Sequence, residues 1–189
     1  VSKFIRDDTT QFHETGLYIP TRTIEFFEEV DDYSASNLMK NLHILDAKSQ
    51  EPIVIKMTSP GGCAYNMWGI YDFIKECRSH ITIIAYGYCM SAATIILQAA
   101  DDRILTPNIR FMVHYGIAGI DWMHSKDFQA AAEDEKVSDG MMEDVYLEKI
   151  KDKHPKYTRA KLKDFIKYDK YMSARETIAL GLADKILGE

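Results

Sequence analysis

The stretch Ile81-Thr82-Ile83-Ile84-Ala85-Tyr86-Gly87-Tyr88-Cys89-Met90-Ser91-Ala92-Ala93-Thr94-Ile95-Ile96-Leu97 decides how this chain is read. Its opening run is apolar and β-branched, as a buried strand requires. Its closing run from Ala92 is small and apolar, as suits a helix lying close against a sheet. Gly87 through Ser91 then reads as a sharp turn, with Ser91 at the first turn of the helix. Backbone N–H groups there lack intrahelical partners and the helix dipole is positive, which favours a nucleophile whose reaction develops an oxyanion. Serine is also a common N-cap, so the stretch alone leaves two readings open.

Upstream, Pro52-Ile53-Val54-Ile55-Lys56-Met57 is a short apolar strand that stops at the turn Thr58-Ser59-Pro60-Gly61-Gly62. Met67, Ile70, Tyr71 and Ile74 follow at helical spacing. Further back, Leu38, Leu42 and Leu45 mark one face of a helix capped by Ser34 or Ser36, and Thr21–Phe27 alternates as a strand. Residues 1–21 are polar and broken by Thr9-Thr10-Gln11 and Glu14-Thr15-Gly16, which predicts an N-terminal arm or hairpin. Downstream, Arg103–Thr106 and Arg110–His114 supply two strands separated by Pro107-Asn108. Strands alternating with helices predict an α/β fold with parallel pairing through right-handed crossovers.

From about Ser125 to Lys153 the chain is charged and helical, with Ser138-Asp139-Gly140 as a candidate interruption. Such a helix is too long to lie wholly on a small core, so it is expected to project and meet a partner subunit. Pro155 ends it. Thr158 opens a shorter helix, Ser173-Ala174-Arg175-Glu176 is a capping-box pattern, and Gly181 is placed to end that last helix. Ala183–Leu187 closes as a short extended segment.

The totals bound the function class. The 189 residues suit one domain with an appendage, and 46% hydrophobic with 28% charged is the balance of a globular protein. A net charge of −6 argues against a nucleic-acid partner, and no apolar run reaches the 18 or so residues that span a bilayer. The N-terminus lacks the apolar core of a signal peptide, and the expected setting is the cytoplasm, with an organelle or a phage-infected host cytoplasm as the alternatives. Cys63, Cys77 and Cys89 are odd in number and lack Cys-x-x-Cys spacing, so buried, reduced thiols are expected, without a disulfide or zinc site.

The candidate chemistry gathers at strand ends. Gly61-Gly62 and Gly87–Ser91 follow the carboxyl ends of successive strands, where open α/β sheets bind ligands. The glycine pair fits close approach of backbone N–H groups to a substrate, or equally a bare tight turn; no Gly-Lys-Ser/Thr makes it a phosphate loop. His114 ends a Phe-Met-Val strand, where a core histidine is the plain alternative to a base. No histidine pairs at metal-ligand spacing. Asp169 stands out between a helix end and the Ser173 cap, whereas most acids over 133–152 read as a solvated helix face.

Together, Ser59-Pro60-Gly61-Gly62, the Gly-x-x-x-Ser-Ala pattern at 87–92, Pro107-Asn108 with Arg110–His114, Asp169–Ala174 and Gly181–Leu187 resemble the ClpP family of serine peptidases. The resemblance runs from about Arg22 to Leu187 in order. It implies a ClpP/crotonase-type spiral of β-β-α units: a head domain over 22–124, a projecting helical handle over 125–165 and a return to the head over 166–189. It implies Ser91 as nucleophile, His114 as general base and Asp169 as the group that orients the imidazole. The backbone N–H groups of Gly62 and Ala92 match the oxyanion hole, and Tyr115, Gly116, Ile117, Ala118 and Gly119 match the strand to which substrate peptide adds. No metal and no cofactor are implied.

The partners implied are polypeptide substrates, further copies of the chain in stacked heptameric rings, and an AAA+ unfoldase of the ClpX, ClpA or ClpC type. The sequence departs from the family pattern at Tyr115-Gly116, where Gln-Pro is usual, and at Lys170, where Arg is common. It also departs at Val54 and Lys56, where aromatic side chains often face the unfoldase. A phage-type stand-alone protease of the same family, a crotonase-type acyl-CoA enzyme and a non-catalytic ring subunit are the alternatives.

Overall fold

The computed structural model describes residues 7–116 and 125–189. In chain order, α1 (Asp8–Thr15), β1 (Leu17–Tyr18) and β2 (Thr23–Phe26) lead into α2 (Asp32–Lys48). Next come β3 (Ile53–Ser59), α3 (Ala64–Glu76), β4 (Ile81–Met90) and α4 (Ala92–Gln98). After β5 (Asp102–Leu105) and β6 (Arg110–Val113) follow α5 (Ser125–Lys153), α6 (Arg159–Ile166), β7 (Lys170–Met172), α7 (Ala174–Leu180) and β8 (Lys185–Ile186). The fold is the expected α/β class.

The sheet runs β1-β2-β3-β4-β5-β8, parallel from β2 onward, with β6 and β7 attached off this path. Along β3, Ile53, Ile55, Met57 and Ser59 are buried while Val54, Lys56 and Thr58 are half-buried, so one pleat face carries the core. In β4, Ile81, Ile83 and Ala85 do the same. Leu38, Leu42 and Leu45 of α2 and Met67, Ile70 and Ile74 of α3 join this core at the helical spacing read from the sequence.

β4 does more than the sequence suggests. Thr82–Ala85 pair with β5, whereas Tyr88–Met90 pair with β6, so one strand changes partner along its length. Gly87, at φ +57, lies between the two pairings. The turn expected from Gly87 onward is therefore a bend inside a continuous strand, because β6 takes up the backbone groups of residues 88–90. The chain breaks direction only at Ser91.

Three local expectations are corrected. Residues 8–15 are a helix and not a hairpin or arm: Asp7 accepts from Thr10 N at 2.7 Å, and Gly16, at φ +69, closes the other end. Residues 1–6 lie outside the described residues. The cap of α2 is Asp31; Ser34 is its reciprocal partner, its Oγ accepting from Asp31 N while Asp31 Oδ1 accepts from Ser34 N. Helix α5 runs unbroken through Ser138-Asp139-Gly140. Its second half buries Met142, Val145, Tyr146, Leu147 and Ile150, while Phe128, Val137 and Met141 stay exposed.

Nor are the cysteines alike. Cys89 is buried and Cys77 half-buried, its thiol pushed up to about 11 by burial, but Cys63 is exposed beside the Gly61-Gly62 turn. No helix among the described residues is long and apolar enough to cross a membrane.

Candidate active site

Ser91 occupies the N-cap position of α4, yet its side chain makes no capping hydrogen bond. Its backbone sits at φ +51, ψ −127, a conformation that non-glycine residues rarely adopt. Donation from Ser91 N to Met112 O at 2.8 Å fixes it, as do Thr94 N and Thr94 Oγ1, which both reach Ser91 O. The freed Oγ lies 2.8 Å from His114 Nε2. Ser91 therefore holds the cap position without using its side chain as a cap.

Gly61 makes that conformation possible. At φ +94, a Cβ on it would lie 2.7 Å from both Ser91 Cβ and Met90 O, and 2.8 Å from Ala92 N. Gly62, at φ +146, is bridged to Val30, and a Cβ there would collide with Val30 O. Val30 N donates to Gly61 O and Cys63 N donates to Val30 O, each at 2.8 Å, so the turn is clamped from both sides. The N–H groups of Gly62 and Ala92 donate to no acceptor among the described residues, and both residues border the same cavity as Ser91.

The register of two strand pairs brings the remaining side chains together. Parallel pairing of Met90 with Met112 sets the end of β4 beside the end of β6. Antiparallel pairing of Met112 with Tyr171 and Val113 with Lys170 makes His114 and Asp169 the next opposed positions. His114 Nδ1 lies 3.2 Å from Asp169 Oδ1, which completes a row of hydroxyl, imidazole and carboxylate. A carboxylate only accepts, so Nδ1 carries the proton and Nε2 is left to accept from Ser91 Oγ–H.

Tyr115 and Gly116 continue from His114; Ile117, Ala118 and Gly119 lie outside the described residues. Tyr115 OH donates to Glu143 Oε1 at 2.9 Å, and burial followed by that carboxylate pushes the phenol pKa up. Glu143 is 3% exposed and accepts from Arg159 Nη1 at 2.8 Å, with Lys163 Nζ 3.6 Å away. Sequence reading placed Glu143 on a solvated helix face and missed it. Its neighbours Glu133, Asp134 and Asp144 look the same in sequence; Asp144 also pairs with Arg159 of α6, and burial is what sets Glu143 apart.

The cavity at this row holds about 390 Å³. Gly62, Ser91, Ala92 and His114 form one wall, and Glu135, Ser138, Asp139 and Met142 of α5 form another. Among the described residues no group of three or more His, Cys, Asp or Glu could hold a metal ion.

Comparison with known proteins fits this arrangement. A model of the Clp protease family matches residues 8–189. ATP-dependent Clp protease proteolytic subunit 1 of Tropheryma whipplei is 29% identical over 163 residues, covering 84% of this chain and 76% of that protein. Its counterpart from Chlamydia muridarum, also a proteolytic subunit 1, is 30% identical over 173 residues, 89% of this chain and 88% of the relative. Among solved structures, a mutant of ClpP1 from Listeria monocytogenes shares the fold with a TM-score of 0.80, at 22% identity over 90% of this chain and 94% of that one. With its matched region running from α1 to the last residue, this chain belongs to the Clp protease family.

Proposed function

We propose that this chain is a serine endopeptidase that cleaves unfolded polypeptides through an acyl-enzyme on Ser91. Membership of the Clp protease family supports peptide-bond hydrolysis, and curated relatives are named proteolytic subunits of ATP-dependent proteases. The observation that carries the reading is the 2.8 Å contact between His114 Nε2 and a Ser91 Oγ that is withheld from capping.

In the proposed reaction, Ser91 Oγ attacks the peptide carbonyl while His114 Nε2 takes its proton. Asp169 holds the imidazole in that tautomer and stabilises the imidazolium. Negative charge develops on the carbonyl oxygen, and the free N–H groups of Gly62 and Ala92 are the donors available to it. His114 then returns the proton to the leaving amine, and water repeats the sequence to release the acyl group. Because both oxyanion donors are backbone groups, small side chains suffice there. Substrate backbone adds alongside Tyr115–Gly119, an association through main-chain hydrogen bonds that tolerates varied sequences.

We place the active sites inside a chamber built from further copies of the chain as stacked heptameric rings, with α5 as the handle between them and an AAA+ unfoldase supplying substrate. A fluorophosphonate probe tests the chemistry directly. Wild type is expected to be labelled and Ser91→Ala is not, with peptide hydrolysis falling by about 10⁶ in the variant. A folded wild type that resists labelling in every assembly state would overturn the reading.

A further inference from the structure

The cavity that opens onto Ser91 is walled in a way that the hydrolytic chemistry does not use. Met67, Ile95 and Met142 give it an apolar lining, but α5 contributes Glu135 and Asp139 to the same space. These two carboxylates stand at i and i+4 and so share one helix face, where like charges oppose each other. Ser138 lies between them and accepts from Trp68 Nε1 at 3.2 Å, which fastens this part of α5 over α3. Tyr65 OH adds a second tie, donating to Asp134 Oδ2 at 2.7 Å.

Neither carboxylate has an ion-pair partner among the described residues, although α5 and α6 are rich in lysine. The polar contact of Asp139 is a long one, 3.5 Å from Gly116 N. Glu135 packs on the open face of Gly116, where a Cβ would overlap its Oε1. Both are half-buried. Burial raises the pKa of each; the charges of Asp139 and Asp134 add to the effect on Glu135. At Asp139 the Glu143 charge adds, while the Gly116 N–H and Lys163 oppose it. Two acids are thus held together in a partly dry space beside the nucleophile. They have no ion-pair partner among the described residues, and only the Gly116 N–H and the more distant Lys163 act on Asp139. Such an arrangement gains most from a cation arriving from outside. No third metal-ligating residue joins them among the described residues, so an organic cation fits better than a metal ion.

The carbonyl attacked by Ser91 must lie between its Oγ and the N–H groups of Gly62 and Ala92, all of which border this cavity. The side chain nearest the cavity is therefore that of the acyl-side residue. We propose that this cavity selects peptides with lysine or arginine on the acyl side of the cleaved bond, the methylene stem lying on Met67, Ile95 and Met142 and the charge reaching Glu135 and Asp139. Long basic side chains suit such a site because their stems are apolar and only their tips are charged. The proposal rests on Ser91 being the nucleophile.

The test uses the full-length protein and fluorogenic peptides that differ only in the residue before the reporter: Lys, Arg, Leu, Met or Glu. In wild type kcat/KM is expected to be at least about tenfold higher for Lys and Arg than for Leu. The Glu135→Gln/Asp139→Asn double variant should lower the Lys-to-Leu ratio by about tenfold or more, and Glu135→Lys should raise the Glu-to-Lys ratio. Ratios cancel any loss of folded enzyme, so a structural effect of the substitutions would not imitate the result. A wild type labelled at Ser91 that prefers Leu or Met, or a ratio unmoved in both variants, overturns the specificity and leaves the nucleophile standing. Absence of both labelling and cleavage overturns the two together.

Discussion

Asp169 is 56% exposed, whereas the His114 imidazole that it holds is only 14% exposed. A carboxylate facing water competes with water for the Nδ1–H, so its hold on the ring is weaker than that of a buried acid. Asp169→Asn is therefore expected to lower kcat/KM by about 10², against about 10⁴ where such a carboxylate is buried. Steady-state hydrolysis of one peptide by wild type and variant measures this. Ser91 and His114 stood out in the sequence as candidates at strand ends beside turn residues, each with a plain structural alternative. Asp169 stood out only modestly by its place in the chain, and the family resemblance is what singled it out. The sequence did not reveal that Ser91 would take φ +51, since that depends on Gly61 leaving room for its Cβ. Arg22 was missed for a similar reason. Its guanidinium donates to Leu45 O, Ser49 O, Glu51 O and Pro52 O and to Ser79 Oγ, binding the end of α2 to the segments leading into β3 and β4. These partners lie 23 to 57 residues away, beyond any local pattern.

Elements meet in this fold through register, and the last one closes through an ion pair. Arg103 at the start of β5 donates from Nη2 to Asp184 Oδ1 at 2.5 Å and from Nε to Asp184 Oδ2 at 3.1 Å, just before β8. A further bond joins its Nη1 to Gln98 Oε1 at 2.6 Å. Burial by itself would raise the pKa of Asp184, but the Arg103 hydrogen bonds and charge win and hold it below the usual 3.8. A depressed folded value means that the pair stabilises fully above the unfolded pKa and loses that contribution as pH falls through the folded one. Urea unfolding midpoints of wild type should therefore drop as pH falls below about 4, the ordinary range of Asp. Asp184→Asn is expected to have a lower midpoint at pH 6, with the gap to wild type closing toward pH 3. Strand β7 shows the other side of element-scale reading. Three residues between two helices carry no periodicity, so Lys170–Met172 became a strand only by pairing with β6, and that pairing is what sets Asp169 opposite His114.

At the scale of the molecule, α5 divides into two parts. From Met142 onward it belongs to the core, where fully buried Tyr146 bonds Thr94 of α4 at 2.5 Å. Before that point Phe128, Val137 and Met141 are exposed, and apolar groups presented this way suit contact with another subunit. Removing residues 130–150 would take out core side chains along with the exposed ones, so point changes are the cleaner test of assembly. Val137→Glu/Met141→Glu is expected to reduce the assembled mass in light scattering while leaving the circular dichroism of the chain unchanged. The same half of α5 carries Glu135 and Asp139 over the Ser91 cavity.

By itself the sequence determined the α/β alternation, the apolar faces of α2 and α3, the capping of α6 and α7, and the residue types able to carry acyl transfer. Each of these is written within a few neighbouring positions as a periodicity or a turn. Only the tertiary structure decided that β4 serves two partners, that Ser91 gives up its cap, and that Asp169 meets His114. It also decided which acids on one long charged helix face a cavity and which face water. The physical reason is distance along the chain. Those outcomes depend on backbone registers and on packing between segments tens of residues apart, where identical side chains acquire different surroundings.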